Sequence, residues 1–373
     1  MSIRVMSIFG TRPEAIKMAP LIKQLESAKN ITSLVCLTAQ HREMLDQVMH
    51  IFNLTADYDL DIMKQQQTLT TITTSVLVGL QTVLEEAKPD LILVHGDTTT
   101  SFVAALAGFY QKIPVGHVEA GLRTYEKYEP FPEEMNRTLT GRLADLHFAP
   151  TTTAQDNLIK EGIDNKSIFV TGNTVIDALQ TTITPNYTFT DKSLNQINFK
   201  NSRILTVTAH RRENLGEPLE EICKALRDIV NLHQDVEVVY AVHKNPAVRK
   251  VVFEVLGDNP KIHLIEPLDI KDMHNLLSKS YLVLTDSGGL QEEVPSLGKP
   301  VLVLRNVTER PEGIAAGTLK LVGTDRNNIV QETTTLLTNI ELYNKMSTAK
   351  NPFGDGTASI QIVKIISQHF GLS

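Results

Sequence analysis

The sequence predicts an α/β protein built as two parallel-sheet domains of similar size. Three observations carry that expectation. Short apolar runs of strand length alternate with longer helical stretches almost from end to end, the order that lays parallel strands between crossover helices. The chain has 373 residues, too many for one ordinary core. Near the middle, residues 180–201 lose the apolar periodicity and become rich in Thr, Asn and Lys around Pro185, which reads as a linker between residues 1–179 and 202–356.

Taken in order, residues 3–9 read as a buried strand, Gly10-Thr11-Arg12-Pro13 as a turn, and 14–28 as a helix for which Pro13 suits the first position. Further strands are expected at 34–38, 91–95, 115–118, 146–149 and 168–171, with helices that include 69–87 and 101–111. The second half repeats this grammar with strands at 204–208, 236–242, 262–265, 281–285 and 301–304, and helices such as 219–232, 247–256 and 270–279. Both halves therefore read as Rossmann-like. A last helix, 358–370, follows a turn at 351–356, so the segment 357–373 is expected to pack back on the first domain.

Composition narrows the function classes. Apolar residues are 42% and charged residues 21%, as in soluble globular proteins and unlike disordered chains. A net charge of -7 argues against a general nucleic-acid binder, so an anionic ligand must be held by local positive groups. Cys36 and Cys223 offer neither a disulfide framework nor a metal cluster and read as buried thiols. With neither a basic leader nor an apolar run of membrane-spanning length, a cytoplasmic protein without membrane insertion is expected.

Open α/β sheets bind ligands at the carboxyl ends of their strands, and many polar residues of this chain fall there: Arg12, Gln40, His41, Asp97, Glu119, His210, His243, Ser287 and Arg305. The stretch Thr285-Asp286-Ser287-Gly288-Gly289-Leu290-Gln291-Glu292-Glu293 reads as strand, tight turn and helix start. Its small turn residues let backbone N–H groups and the positive helix end approach a phosphate. Glu293, one turn on, suits the two hydroxyls of a ribose. A Gly-rich turn that is only a tight connection remains the alternative.

Three further segments add charge. Asp97, the run His117-Val118-Glu119-Ala120-Gly121-Leu122-Arg123 and the run Phe131-Pro132-Glu133-Glu134-Met135-Asn136-Arg137 gather carboxylates and arginines. Carboxylates crowded together can have their proton affinities pushed apart, giving an acid and a base from one residue type. Glu134 alone also reads as a solvated charge at a helix start. The run His210-Arg211-Arg212-Glu213-Asn214 suits a phosphate, against a structural Arg-Glu network for Arg212 and Glu213. Arg310, in Thr308-Glu309-Arg310-Pro311-Glu312-Gly313, suits the same ligand, against a surface ion pair.

Together with Gly10-Thr11-Arg12-Pro13-Glu14 and Gly96-Asp97-Thr98, these motifs resemble the non-hydrolysing UDP-N-acetylglucosamine 2-epimerases of bacteria, from Arg12 to Gly323. The resemblance implies a glycosyltransferase-B-like fold, two Rossmann-like domains facing across a cleft, and a homodimer. It implies interconversion of UDP-GlcNAc and UDP-ManNAc for cell-surface polysaccharide, through loss and re-addition of UDP, with neither nicotinamide nor metal required. Asp97, Glu119, Glu133 and His210 match its catalytic positions; Arg12, Lys17, Arg137, Met273, Ser287, Gly288, Gly289, Glu293 and Arg310 match or adjoin its substrate-binding positions. Gln40, His41, Gln67 and His243 match an activating second UDP-GlcNAc site found in some relatives. The chain departs from them at Gln65-Gln66, where a Glu-Arg pair is common, and at Met273, where Phe is common. A 2-epimerase of another UDP-amino sugar and a glycosyltransferase of the same fold are the competing readings.

Overall fold

A computed structural model describes residues 2–40, 42–64 and 67–372; counts below are of these residues. By their contacts they form two compact units, Met1–Thr181 with Phe353–Ser373, and Thr182–Pro352.

The first unit runs β1 (Ile3–Phe9), α1 (Arg12–Ser27), β2 (Ile31–Leu37), α2 (Glu43–Ile51), β3 (Tyr58–Asp59), α3 (Leu69–Ala87), β4 (Leu91–His95), α4 (Thr99–Tyr110), β5 (Val115–Val118), α5 (Glu133–Leu143), β6 (Leu146–Ala149), α6 (Thr152–Lys160), β7 (Ile168–Val170) and α7 (Thr174–Thr182). Its seven described strands are all parallel, in the order β3-β2-β1-β4-β5-β6-β7. β1 is central and almost wholly buried, which is why it is a continuous apolar run instead of an alternating one. Ile72, Val76 and Leu80 of α3 and Val103 and Ala104 of α4 close over Met6, Ile8, Ile92 and Val94 on one face. Strand order reverses between β1 and β4, so the crevice at their carboxyl ends is the topological switch point where such sheets take ligands.

The second unit runs β8 (Arg203–Thr208), α8 (Glu217–Leu232), β9 (Val236–Ala241), α9 (Pro246–Leu256), β10 (Ile262–Ile265), α10 (Ile270–Lys279), β11 (Leu282–Thr285), α11 (Gly288–Glu293), β12 (Val301–Val303), α12 (Pro311–Ala316), β13 (Leu319–Leu321), α13 (Arg326–Thr338) and α14 (Ile340–Ser347). Its six described strands are parallel in the order β10-β9-β8-β11-β12-β13, the same winding as the first six of the other sheet. The switch point here lies between β8 and β11. The last helix, α15 (Ala358–His369), belongs to the first unit and packs on α1. The backbone N–H of Ser359 anchors it by donating to Asp177 at 2.8 Å.

Residues 182–201 differ from the expected linker: they are packed into the second unit. Phe189, Leu194 and Ile197 are buried against Ile204, Val239, Ile265 and Leu276. The buried carboxylate of Asp272 accepts from Tyr187 Oη at 2.8 Å and from the N–H groups of Thr190 and Asp191, each at 2.9 Å. These apolar residues are spread along turns and one short 3-10 segment, so they show no period to read. Strand β2 starts at Ile31, earlier than the expected 34, because Thr32 and Ser33 pair beside Arg4 and Val5 of β1 despite being polar. Short β3 and β13 carry too few residues for a pattern. Cys36 and Cys223 are both buried free thiols, and burial pushes each up to about 12. Among the described residues no helix is long and apolar enough to cross a membrane.

Candidate active site

At the switch point of the first sheet, three loops meet. The turn after β1 is built on Glu14, whose buried carboxylate accepts from the backbone N–H groups of Gly10 at 3.1 Å and Thr11 at 2.8 Å. Its other oxygen accepts from Thr98 Oγ1 at 2.7 Å and Ser101 Oγ at 3.0 Å, in the loop after β4 and the first turn of α4. Burial raises its pKa against those four donors. One side chain thus ties together the two loops that flank the reversal of strand order. Arg12 starts α1, partly buried, with no ion-pair partner among the described residues.

The third loop follows β5. Val118 accepts from Gly96 N at 2.9 Å and Ala120 N donates to Phe148 O at 3.0 Å, so the sheet ladder holds both sides of Glu119. Glu119 itself takes φ +62°, a conformation that a non-glycine residue adopts at a cost. Its carboxylate receives Lys17 Nζ, from α1, and Asn173 Nδ2 at 2.7 Å, and lies 3.8 Å from His95 Nε2. Burial drives that imidazole down to about 4, and Glu119 only partly offsets it, so His95 is neutral near pH 7.

Helix α5 supplies the remaining members. Asn136 Nδ2 donates to Asp97 O at 2.9 Å, and Arg137 Nη2 donates to Asp97 Oδ2 at 2.5 Å. Burial pushes the Asp97 carboxyl above its ordinary range and the Arg137 guanidinium pulls it back. Glu133, at the start of α5, lines the same space. Glu134 is not the solvated charge it could have been: it is 3% exposed and accepts from the N–H groups of Thr124 at 3.1 Å and Tyr125 at 3.0 Å. It holds the loop that leads into α5, while its neighbour Glu133 is left to face the cavity. That cavity, about 450 Å³, is lined by Lys17, Gln40, Asp97, Glu119 and Glu133 among others.

The switch point of the second sheet is of opposite character. β8 and β11 lie side by side, with Thr208 beside Thr285, so His210 and Ser287 emerge from adjacent strand ends. Ser287 caps the short helix α11 and donates its N–H to Thr285 Oγ1 at 2.9 Å. A Cβ on Gly288 would lie 3.7 Å from Arg211 Nη2 and 3.8 Å from Arg310 Nη2, so two guanidinium groups border this turn. Arg310 is held there by the buried carboxylate of Glu292, and it also makes the surface pair considered for it, with Glu309 at 3.9 Å. Glu293, the last residue of α11, lies 3.2 Å from His274 Nε2, and Thr182 Oγ1 bonds the other ring nitrogen at 2.6 Å. Met273, one residue earlier, is half-buried against two apolar clusters. Glu213 enters an Arg-Glu pair, with Arg305 at 2.9 Å and not with the Arg212 of the structural-network alternative.

Of the residues singled out in the sequence, Lys17, Asp97, Glu119, Glu133 and Arg137 come together in the first unit, with Arg12 at the edge of the group. His210, Ser287, Gly288, Gly289, Glu293, Met273 and Arg310 lie around the β8/β11 switch point and α10 in the second. Gln40 Oε1 accepts from Thr100 Oγ1 at 3.1 Å, Gln67 Nε2 donates to Ile62 O at 2.7 Å, and the His243 ring stacks on His210. His41, Gln65 and Gln66 lie outside the described residues. Glu14, Asn173, Asp286, His274 and Glu292 were not singled out in the sequence as parts of these sites, whereas Arg211 lay in the run expected to suit a phosphate. Each of the five acts by holding another polar group. Only Glu14 carried a visible signal, a Thr-x-x-Glu spacing that predicts a capping box.

Fold and sites define a two-unit α/β protein with a carboxylate-lysine group at one switch point and an arginine-bordered glycine turn at the other, the equipment of a protein that handles a nucleotide-linked ligand. Sequence comparison is more specific. A family model described as UDP-N-acetylglucosamine 2-epimerase matches residues 23–367, and the chain belongs to that family. It is 57% identical over 369 residues to the UDP-N-acetylglucosamine 2-epimerase of Bacillus subtilis, covering 99% of this chain and 96% of the relative. The S. aureus MnaA–UDP co-structure superposes with TM-score 0.88 at 50% identity, covering 100% of this chain and 98% of the other. The UDP-GlcNAc 2-epimerase of Neisseria meningitidis bound to UDP-GlcNAc gives TM-score 0.86 at 51% identity, with 98% and 100% covered.

Proposed function

We propose that this protein interconverts UDP-GlcNAc and UDP-ManNAc at C2 without hydrolysing them. The observation that carries the reading is the gathering of Asp97, Glu119 and Glu133 with Lys17 around one cavity at a switch point. C2 of the sugar has no carbonyl to acidify its hydrogen, so direct proton abstraction is far too slow near neutral pH. If UDP leaves C1 as the proton leaves C2, the product is a 2-acetamidoglucal. Proton return to the opposite face, with re-addition of UDP, gives the epimer. Lys17 and Asn173 donate to Glu119, whereas burial raises the proton affinity of Asp97 and Arg137 lowers it, so the two carboxyls sit in different environments, as a base and an acid on opposite faces of the sugar require. Glu133 completes the set of proton carriers.

In this proposal the departing diphosphate is held by Arg12, His210, Arg310 and the Ser287-Gly288-Gly289 turn. Glu293 takes the ribose and Met273 packs on the uracil face. Lys17 and Arg137 orient carboxylates. A glycosyltransferase-B-like arrangement, a cytoplasmic homodimer, supply of ManNAc units to cell-surface polysaccharide, and a second UDP-GlcNAc site using Gln40, His41, Gln67 and His243 belong to the same reading. The test is incubation with UDP-GlcNAc alone, followed by NMR of the anomeric protons. The expected result is a mixture of UDP-GlcNAc and UDP-ManNAc without any acceptor; unchanged substrate, or free ManNAc as the product, contradicts it.

A further inference from the structure

Adjacent strands β8 and β11 deliver His210 and Asp286 to the same point, and the way Asp286 is bonded leaves one of its oxygens uncommitted. Asp286 is fully buried. Its Oδ2 accepts three hydrogen bonds, from the N–H groups of His210 at 2.7 Å and Arg211 at 2.8 Å and from Asn214 Nδ2 at 3.0 Å. Its Oδ1 is buried and accepts none from the described residues, yet it lies 3.6 Å from His210 Nδ1. That separation is too long for a hydrogen bond, but it directs the free oxygen at one particular ring nitrogen. On the other side the His243 ring stacks on His210, with centroids 5.0 Å apart and planes 7° apart. The imidazole is thus confined between a carboxylate and a second ring, and its side chain remains 38% exposed.

We propose that Asp286 is a positioning residue for His210: its free oxygen selects the Nδ1–H form of the ring and balances the imidazolium that forms when a nucleoside diphosphate occupies the Ser287-Gly288-Gly289 turn. The inference rests on the UDP-binding reading given above. With Nδ1–H turned to Asp286, a neutral His210 presents a lone pair at Nε2, which repels phosphate oxygens. Binding the anion therefore requires a proton from solvent at Nε2, and the buried carboxylate makes that charge tolerable. The charged and titratable groups around the ring act in both directions. Burial holds the pKa of unliganded His210 below its ordinary value; Asp286 pulls it up, and His243 and Arg211 push it down. Arg310, with Arg211, borders the neighbouring Gly288 and adds to the positive side. A diphosphate neutralises that positive group and tips the ring to its charged form.

Asp286→Asn separates this role from a merely structural one. The carboxamide oxygen can still accept from His210 N, Arg211 N and Asn214, while its NH2 occupies the free position and donates to Nδ1. The ring must then carry its proton on Nε2 when neutral. The experiment is NMR of the histidine ring nitrogens across a pH titration, with and without UDP, the His210 signal being assigned by its loss in His210→Gln. In the parent protein the expected result is an Nδ1–H neutral form and a midpoint that UDP raises by about one pH unit or more, a tenfold gain in proton affinity. In Asp286→Asn the neutral form becomes Nε2–H, the UDP-induced rise is lost, and kcat falls roughly 10- to 100-fold with KM little changed. An Nε2–H form in the parent, or a midpoint unmoved by bound UDP, overturns the inference whether or not the variant folds. A variant that keeps the parent's UDP-induced rise overturns it too. If UDP fails to bind the parent protein, the functional reading itself falls and the inference with it.

Discussion

Glu119→Gln is expected to lower kcat by about 10²- to 10⁴-fold, the range for losing a positioned acid-base group, with UDP affinity within about threefold of the parent. The reason lies in where the charges sit. Glu119 receives Lys17 and Asn173 on one oxygen, near a neutral His95, all at the β1/β4 switch point. A carboxamide cannot accept a proton from carbon and removes the negative charge that Lys17 faces at this position. The proposed UDP anchor is built from other residues, Ser287 to Gly289 with Arg211 and Arg310 at its border, so the nucleotide handle survives the change. Initial rates and calorimetric UDP titrations check this. A loss of UDP affinity as large as the loss of rate would mean that Glu119 is structural and not a proton carrier.

Gly121→Ala is expected to destabilise the protein by on the order of 3 to 5 kcal/mol, combining backbone strain with steric overlap. Gly121 has φ +90°, and a Cβ there would fall 2.2 Å from the backbone oxygen of Ala154 and 3.0 Å from Leu158 Cγ. The obstacle is backbone of α6, which cannot swing aside as a flexible side chain would. Asn157 Nδ2 also donates to Gly121 O at 3.0 Å, so the two segments are tied at this close approach. Since Gly121 is two residues from Glu119, whatever of this variant folds should also lose activity. Denaturant midpoints with unchanged m-values measure the effect; a shift below about 1 kcal/mol would show that the α6 contact yields easily.

What was legible in the sequence, and what was not, follows from how each feature is encoded. Buried parallel strands such as Ile3–Phe9 and Leu91–His95 announce themselves as continuous apolar runs, and the polar residue after each could be placed at a strand end without coordinates. That was enough to single out Arg12, Asp97, Glu119, His210 and Ser287. Residues 182–201 were not legible, because Phe189, Leu194 and Ile197 reach the core from irregular backbone and Asp272 fixes them through contacts about 80 residues away in sequence. The same limit hid the supporting groups. Nothing near Asp286 in sequence announces that its carboxylate gathers the His210 loop, and nothing near Glu134 distinguishes a buried loop anchor from an exposed helix-start charge. Long-range polar partners leave no periodic trace, whereas the chemistry-bearing residues they hold lie at positions that the strand pattern marks.

The central claim is that a proton is removed from and returned to C2 by carboxylates at the β1/β4 switch point while UDP leaves and comes back. Incubation with UDP-GlcNAc in D2O, followed at C2 by proton and carbon NMR, addresses it directly. The expected result is deuterium at C2 of the UDP-ManNAc formed, with no acceptor present and no net loss of UDP-sugar, and loss of that incorporation in Glu119→Gln. Epimer that retains its original C2 hydrogen would contradict it.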